Sequence, residues 1–526
     1  MKGRKNKAIS DVLWFMVGTC GALFPLVLVV GLSLGADADT WDQVFYRPTY
    51  LALRNSLGIF LLQGGLVLPF GLLLGVVAGL FDFPLRKLAL GLSLIPLALP
   101  TFITAIGVQT LGTTLPWLST RWTDGFMGCV WTGIIVSFPI VCWGTYLSVR
   151  MISQDEKDSV LQVGGKALLW RVMMRRMFPM ALVYCGGAGV LGISDFGVSN
   201  IMGCHGIATE IQIAFAMRFN FVLSAAKALA FLILLLPLIL LGWRTSRGLE
   251  VSSHQLLRGG HEPELSFFSG VGWSLVHVLG CVGGGVAMFL GILKPLWRPQ
   301  SHSHLWDMWS KYLESLEVTL LYGVGGGLLA TVIGFLVVSF FYGKSKSKWS
   351  TSVMVGIALS FVLPSGVTAL GMTWIGSHAP EWLDAFFRSH MVVVHTLGLR
   401  FIAIAVLLYS LGFQMLPKDL ELGVRLHNLS LWTERITLQG RALWRYTFLS
   451  VMVCSVLSLA DVGVVTLVQP PSGGSFGSYF FGSMDNTPEV LVSSMCLAYM
   501  ALPLGLLIIG GSVLWLSTLR RQHRGL

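Results

Sequence analysis

Apolar residues fall in runs long enough to cross a bilayer, at about 13–34, 55–80, 88–110, 127–149, 178–197 and 222–243, and again at about 269–294, 316–341, 350–376, 390–413, 446–468 and 488–516. A helix rises about 1.5 Å per residue and the hydrocarbon core is about 30 Å thick, so some twenty apolar residues suffice for one crossing. Backbone polar groups in hydrocarbon must be bonded internally, which predicts that each run is a helix. The alternating segments of roughly ten residues that mark a membrane barrel are absent. A polar stretch from Arg244 to Glu264, carrying His254, Arg258, His261 and Glu262, separates the sixth run from the seventh and reads as a linker. The pattern predicts an all-α integral membrane protein of about twelve transmembrane helices, with a first six-helix domain over 1–243, a linker over 244–265 and a second six-helix domain over 266–526.

Composition agrees. Of 526 residues, 54% are hydrophobic and 12% charged, against about 25% charged in soluble domains. The chain cannot make a polar surface of that size, so lipid must cover much of it. The net charge of +11 would suit nucleic acid in a soluble protein, but here the basic residues flank apolar runs. Lys2, Arg4, Lys5 and Lys7 precede the first, Lys344, Lys346 and Lys348 lie between two later ones, and Arg520, Arg521 and Arg524 follow the last. This is the positive-inside pattern. With Arg86 and Lys87 on the same side, it places both termini in the cytoplasm. The loops holding Asp37, Asp39 and Asp42, and Trp297, His302, His304 and Asp307, are then expected outside. No small-residue cleavage site follows the first run, which reads as a retained helix.

The second half repeats the first. Leu-Pro100-Thr-Phe-Ile-Thr-Ala-Ile-Gly107 matches Leu-Pro364-Ser-Gly-Val-Thr-Ala-Leu-Gly371 at an offset of 264. Asn55-Ser56-Leu57 matches Val318-Thr319-Leu320, and Gly71 matches Gly334, at 263. Arg171-Val172-Met173-Met174 matches Arg435-Ile436-Thr437-Leu438 at 264, and the patch around Asp195-Phe-Gly197 matches Asp461-Val-Gly463 at 266. Four patches in one order at a near-constant offset indicate a duplication. Six spans separate corresponding helices, so the halves are expected to be parallel repeats enclosing one central path.

Two polar segments, 150–176 and about 416–445, precede the fifth run of each half. Val160, Val163 and Ala167 in the first, and Leu422, Leu426 and Leu429 in the second, recur at helical spacing. Such apolar faces need a partner surface or lipid headgroups; the spacing leaves both open. These segments resemble the cytoplasmic motif of the permeases of bacterial ABC importers: Glu-Ala-Ala, three residues, Gly, then nine residues and Ile-x-Leu-Pro. Asp158-Ser159-Val160 and Gly164 keep the first spacing, with Val172-Met173-Met174 as a loose tail. Glu421-Leu422-Gly423 keeps it with His427 in place of Gly, and Ile436-Thr437-Leu438 matches the tail. Neither copy retains Glu-Ala-Ala itself. The Leu-Pro…Ala-x-Gly patches and the two Asp-x-Gly-Val patches are similar to the family as well.

The resemblance implies a fold like that of type I ABC importer permeases. It further implies ATPase coupling through Asp158, Gly164, Val172, Glu421, His427, Ile436 and Leu438. Two copies of a separate ABC ATPase, a periplasmic or lipid-anchored solute-binding protein and membrane lipid are the implied partners, with no nucleic acid. The implied location is the bacterial inner membrane. Double-length permeases of this kind resemble ferric-iron and thiamine importers. Ser194-Asp195-Phe196-Gly197-Val198 followed by Thr209-Glu210-Ile211 favours iron, with thiamine or another small solute as the alternative.

An ion-coupled carrier is the rival class, and a non-transport membrane protein a further one. The phosphate-binding loop of ATPases is absent: Gly343-Lys344-Ser345 resembles its end, but Val338 stands where its first Gly must be. HExxH is absent too. The chain is expected to be a transport subunit rather than an enzyme, with no cofactor and no metal. Its eight cysteines, none in a CxxC, read as small apolar filler.

Asp195 and Asp461 lie in apolar surroundings, where a carboxylate is expensive unless capped, paired or wet. A helix cap is one reading and a place on the translocation path, with Pro100 and Pro364 at a gate, the other. The two prolines predict kinks in the third helices. Arg400 and His395 have no titratable counterparts 264 positions earlier, where Val136 and Trp131 stand; interhelix pairing or snorkelling is expected of them and of the lone His277, with a proton relay as the rival reading.

Overall fold

The computed structural model describes residues 2–114, 120–247, 265–266, 271–297, 302–341, 348–414, 416, 440–471 and 474–524. Along the chain the helices are α1 (Lys2–Ser33), α2 (Ala38–Val44), α3 (Arg47–Leu80), α4 (Arg86–Ser93), α5 (Ile95–Ala98), α6 (Thr101–Thr114), α7 (Gly125–Arg150), α8 (Gln154–Ile193), α9 (Phe196–Ile201), α10 (Ile207–Ala216) and α11 (Phe221–Arg247). They continue as α12 (Val271–Leu293), α13 (His302–Phe341), α14 (Lys348–Val362), α15 (Ser365–His378), α16 (Asp384–Phe387), α17 (His390–Gln414), α18 (Gly440–Ala460), α19 (Val462–Val468), α20 (Phe476–Ser483) and α21 (Glu489–Arg524). Two-residue strands, β1 (Phe81–Asp82) and β2 (Leu265–Ser266), pair in parallel.

Every apolar run falls on helix. Among the described residues, eight helices are long and apolar enough to cross a membrane, or ten spans if each of two bent pairs counts as one. The runs near 13–34 and 222–243 lie in α1 and α11, whose described apolar stretches are shorter. The third helices, expected to be kinked, are broken outright. α4–α5 meets α6 at 101°, and α14 meets α15 at 98°. A proline removes one helical hydrogen bond and clashes with the preceding turn, and the residue before it is driven out of the helical region. Leu99, before Pro100, is accordingly extended at φ −87° and ψ 150°.

The chain forms two compact units that cut across the sequence halves. One comprises 42–213 and 230–301, the other 1–41, 214–229 and 302–526. The repeat and the compact units are thus two different divisions of the chain.

In the 42–213 unit, α3 lies along α7 and α8 packs on both. Gly71, Gly75 and Gly79 form one stripe of α3, and a Cβ at Gly75 would come 2.6 Å from the Cys142 carbonyl oxygen. Bare backbone there lets the two helices touch, the usual source of affinity between helices in lipid. Val67, Leu72, Val76, Met173, Met177 and Ala181 fill the space beside the stripe. The first helix of the second half, α12, packs in this unit against α4 and α6.

In the 302–526 unit, α13 packs on α17 and α18, and α1, the first helix of the first half, packs on α13, α14, α15 and α17. Ala22 of α1 is buried with Tyr322, Val337, Leu397, Phe401 and Tyr409. Leu28 of α1 closes a second cluster with Phe215 and Leu370.

Candidate functional site

Within each unit the break at the proline meets the break after the fifth long helix. In the 42–213 unit, Thr101 opens α6 and its hydroxyl donates to Oδ2 of Asp195. Asp195 is the N-cap of α9: its Oδ1 accepts from the backbone N–H of Gly197 at 2.7 Å and of Val198 at 3.3 Å. In the 302–526 unit, Ser365 opens α15 and hydrogen-bonds Asp461. Asp461 caps α19 by accepting from the N–H of Val464 at 3.1 Å. Thr101 and Ser365 are matched by the repeat offset of 264, so the duplicated patches encode one contact made twice. Helix N-termini leave unbonded N–H groups, and a carboxylate there bonds them and complements the helix dipole. The cap reading of both aspartates describes their geometry.

A second contact also recurs. The Ser56 hydroxyl accepts from the N–H of Ile207, the first residue of α10, at 3.0 Å. The Thr319 hydroxyl accepts from the N–H of Phe476, the first residue of α20, at 2.8 Å. Each half uses a hydroxyl on its second long helix to hold the start of the helix beyond its broken fifth span. The Asn-Ser-Leu and Val-Thr-Leu match carries this contact, though spacing alone gave no sign of it.

The halves differ in what surrounds these breaks. Arg400 of α17 is 6% exposed, and its Nε lies 3.8 Å from Oδ2 of Asp461. Its guanidinium donates to the carbonyl of Phe361 at 3.0 Å and to that of Leu363, just before Pro364. One cation therefore ties the end of α14 to the start of α19. At the corresponding places of the first half stand Val136 and Ser137, and the Ser137 hydroxyl accepts from Nε2 of Gln63. On the first half's loop before α10, Nε2 of His205 lies 2.7 Å from Oε2 of Glu210, while Asn55 Nδ2 donates to the His205 carbonyl at 3.0 Å. His277 and His395 pack against aromatic rings: Phe83 at 4.6 Å and Phe386 at 5.9 Å.

The 150–176 segment is a short helix followed by a sharp turn into the fifth long helix. The Ser153 hydroxyl accepts from the N–H of Glu156; Ser153-Gln-Asp-Glu156 has the spacing of a capping box, the signal that marks this start in the sequence. Gly165 breaks α8 at φ 62° and ψ −165°, a region open only to glycine. Gly164 sits in the last turn before it, where a Cβ would meet Leu168 at 2.5 Å. The break separates Val163 from Ala167, so Val160, Val163 and Ala167 do not form one continuous face. Val160 and Leu161 pack against the unit's own core, Asp158 is exposed, and Val163 is 84% exposed. An ion pair from Arg176 to Glu156 braces the short helix against the long one. Val172 lies on the long helix, half-buried against the same core. Glu421, His427, Ile436 and Leu438, in the second copy of the motif, lie outside the described residues.

No protein-family profile matches the chain. It is similar to a molybdate/tungstate transport system permease protein from Thermococcus kodakarensis, at 25% identity over 232 residues. The match spans 42% of this chain and 89% of that relative. Nearly the whole of the relative is thus accounted for by less than half of this chain, in keeping with a chain built from two copies of one unit.

Proposed function

We propose that this chain is the membrane permease of an ABC importer, carrying a small solute inward with energy from separate ATPase subunits. The observation that carries the reading is the match, over nearly its full length, to a transport permease of about half this size. The exposed, capped helix ahead of the fifth long helix supports it. That helix stands at the motif expected to dock the ATPase, and it presents Asp155, Asp158 and Val163 to solvent. A solute-binding protein would deliver the substrate, and the second ATPase would dock through the 416–445 segment.

For the substrate, the relative shifts the weight from ferric iron to a tetrahedral oxyanion of the molybdate or tungstate kind. Iron rested on Ser194–Val198 followed by Thr209-Glu210-Ile211, and in the first of these Asp195 is a helix cap. The buried Arg400–Asp461 pair is a feature that favours an ion-coupled carrier. It joins two helix ends and has no counterpart at the matching positions of the first half.

The test is association with an ABC ATPase subunit from the same organism. Val163→Glu places a charge on a side chain that is 84% exposed, so folding is expected to be unchanged. Co-purification with the ATPase is expected to fall at least about tenfold, the effect of roughly 1.4 kcal/mol of lost binding. Undiminished association of this variant, and of one lacking 155–174, would sink the proposal. Proteoliposomes holding the complex and its binding protein are expected to take up molybdate or tungstate only with ATP. Uptake driven by a proton gradient alone would favour the carrier.

A further inference from the structure

Two pairs of thiols touch in the 42–213 unit, and α7 contributes one member of each. The Cys129 side chain lies beside that of Cys204, and the Cys142 side chain beside that of Cys281. All four are buried free thiols in this structure. The pairs differ in depth. Cys129 lies in the first turns of α7, which begins at Gly125, whereas Cys142 lies far along the same helix toward Arg150. Thirteen residues of helix separate them, about 20 Å. The basic residues at Arg86, Lys87 and 150–176 put the Arg150 end inside by the positive-inside rule. The Gly125 end, and the loop that follows α9, are then outside.

The loop that carries Cys204 is held against this outer end by the backbone. Gly125 N–H donates to the Met202 carbonyl at 2.9 Å, and Cys204 N–H donates to the Ser199 carbonyl at 2.9 Å. A Cβ on Gly128 would strike the Met202 sulfur at 2.4 Å, so the loop lies directly on α7. Disulfides form and persist outside the cytoplasm and are rare within it.

We propose that Cys129 and Cys204 are joined by a disulfide in the mature protein, stapling the loop between α9 and α10 to the start of α7. Cys142 and Cys281, in the same kind of contact but toward the cytoplasmic end, stay reduced. The bond forms by exchange with an external disulfide. One thiolate attacks a sulfur of the donor and expels a thiol, and the second thiolate then attacks the mixed disulfide and expels the other. The cysteines lose two electrons and two protons, and the donor disulfide becomes two thiols. Both cysteines are nearly inaccessible once folded, at 4% and 6% exposure, so the exchange belongs to insertion, before the loop closes on α7. The closed bond is then shielded from reductants. The inference rests on the orientation above and not on transport.

The native chain tests it. Cells are quenched with acid and the protein is unfolded in detergent. Free thiols are blocked with a light alkylating reagent, and disulfides are then reduced and labelled with a heavy one. Peptide mass spectrometry is expected to find the heavy label on Cys129 and Cys204 and the light label on Cys142 and Cys281. Without reductant, the Cys129 and Cys204 peptides are expected to be recovered as one cross-linked species lacking two hydrogens. Light label on Cys129 and Cys204 overturns the proposal. So does heavy label on both pairs alike, which marks air oxidation. A C-terminal epitope tag, probed in intact and permeabilised cells, reads the orientation separately. Reduced thiols with an internal tag refute the disulfide, and an external tag refutes the orientation on which it stands.

Discussion

Asp195 and Asp461 occupy matching places and cap matching helices, but the arginine near the second makes its removal the more costly. Arg400 is buried, and Asp461 is the carboxylate with which it forms an ion pair. Neutralising one partner of a buried pair leaves an uncompensated charge, which costs about 3–5 kcal/mol. Asp461→Asn is therefore expected to lower the unfolding temperature in detergent sharply. The double variant with Arg400→Met should recover most of the loss, read as a coupling energy in a double-mutant cycle. Asp195→Asn keeps an oxygen for the N–H groups of Gly197 and Val198 and is expected to cost about 1 kcal/mol, the scale of a weakened cap. The aspartates were legible in the sequence because a cap is a local device: acid, one residue, glycine. The partner of Arg400 was not, because α17 and α19 come together only through packing.

At the scale of elements, glycine and proline decide where the helices stop. Pro100 and Pro364 were legible as interruptions. That they turn the chain by 101° and 98° rather than kinking it was not. Proline dictates that the helix ends, but the direction in which the next helix leaves is set by what it packs against. Here that includes the capping aspartate, reached by the first side chain after the proline. Gly165 is the other decisive position: it, and not its neighbour Gly164, takes the backbone conformation that turns the chain. Gly165→Ala forces a side chain into a backbone region that costs of order 1–3 kcal/mol. Circular dichroism in detergent should register that loss as a lower melting temperature. Because the short helix from Gln154 would leave α8 at a new angle, ATPase association should fall as well. Unaltered stability and association together would mean that the turn is not what aims this helix.

At the scale of the whole molecule, the sequence halves and the compact units disagree in two respects: each unit takes in the first helix of the other half, and 214–229 of the first half belongs to the 302–526 unit. α1 buries Ala22 and Leu28 in the 302–526 unit, and α12 buries Cys281 in the 42–213 unit. Neither half holds all the segments of a complete unit. A chain cut within the 244–265 linker is therefore expected to yield halves that are degraded when made alone but accumulate and co-purify when made together. Stable accumulation of either half by itself would contradict this exchange. The expectation of about twelve spans corresponds to eight helices that qualify by length and composition, two bent pairs and the shorter described stretches in α1 and α11.

Run length, charge placement and a repeat of near-constant offset are one-dimensional quantities. From them the sequence by itself determined an all-helical membrane protein, its duplication, the positions of its breaks and the resemblance to importer permeases. Only the tertiary structure decided which half each first helix joins, how far the chain turns at Pro100 and Pro364, what Arg400 holds, and that Cys129 lies against Cys204. Each of these depends on the packing of segments remote in the chain. In lipid that packing is governed by close steric fit and by the satisfaction of buried polar groups, neither of which leaves a periodic trace along the chain.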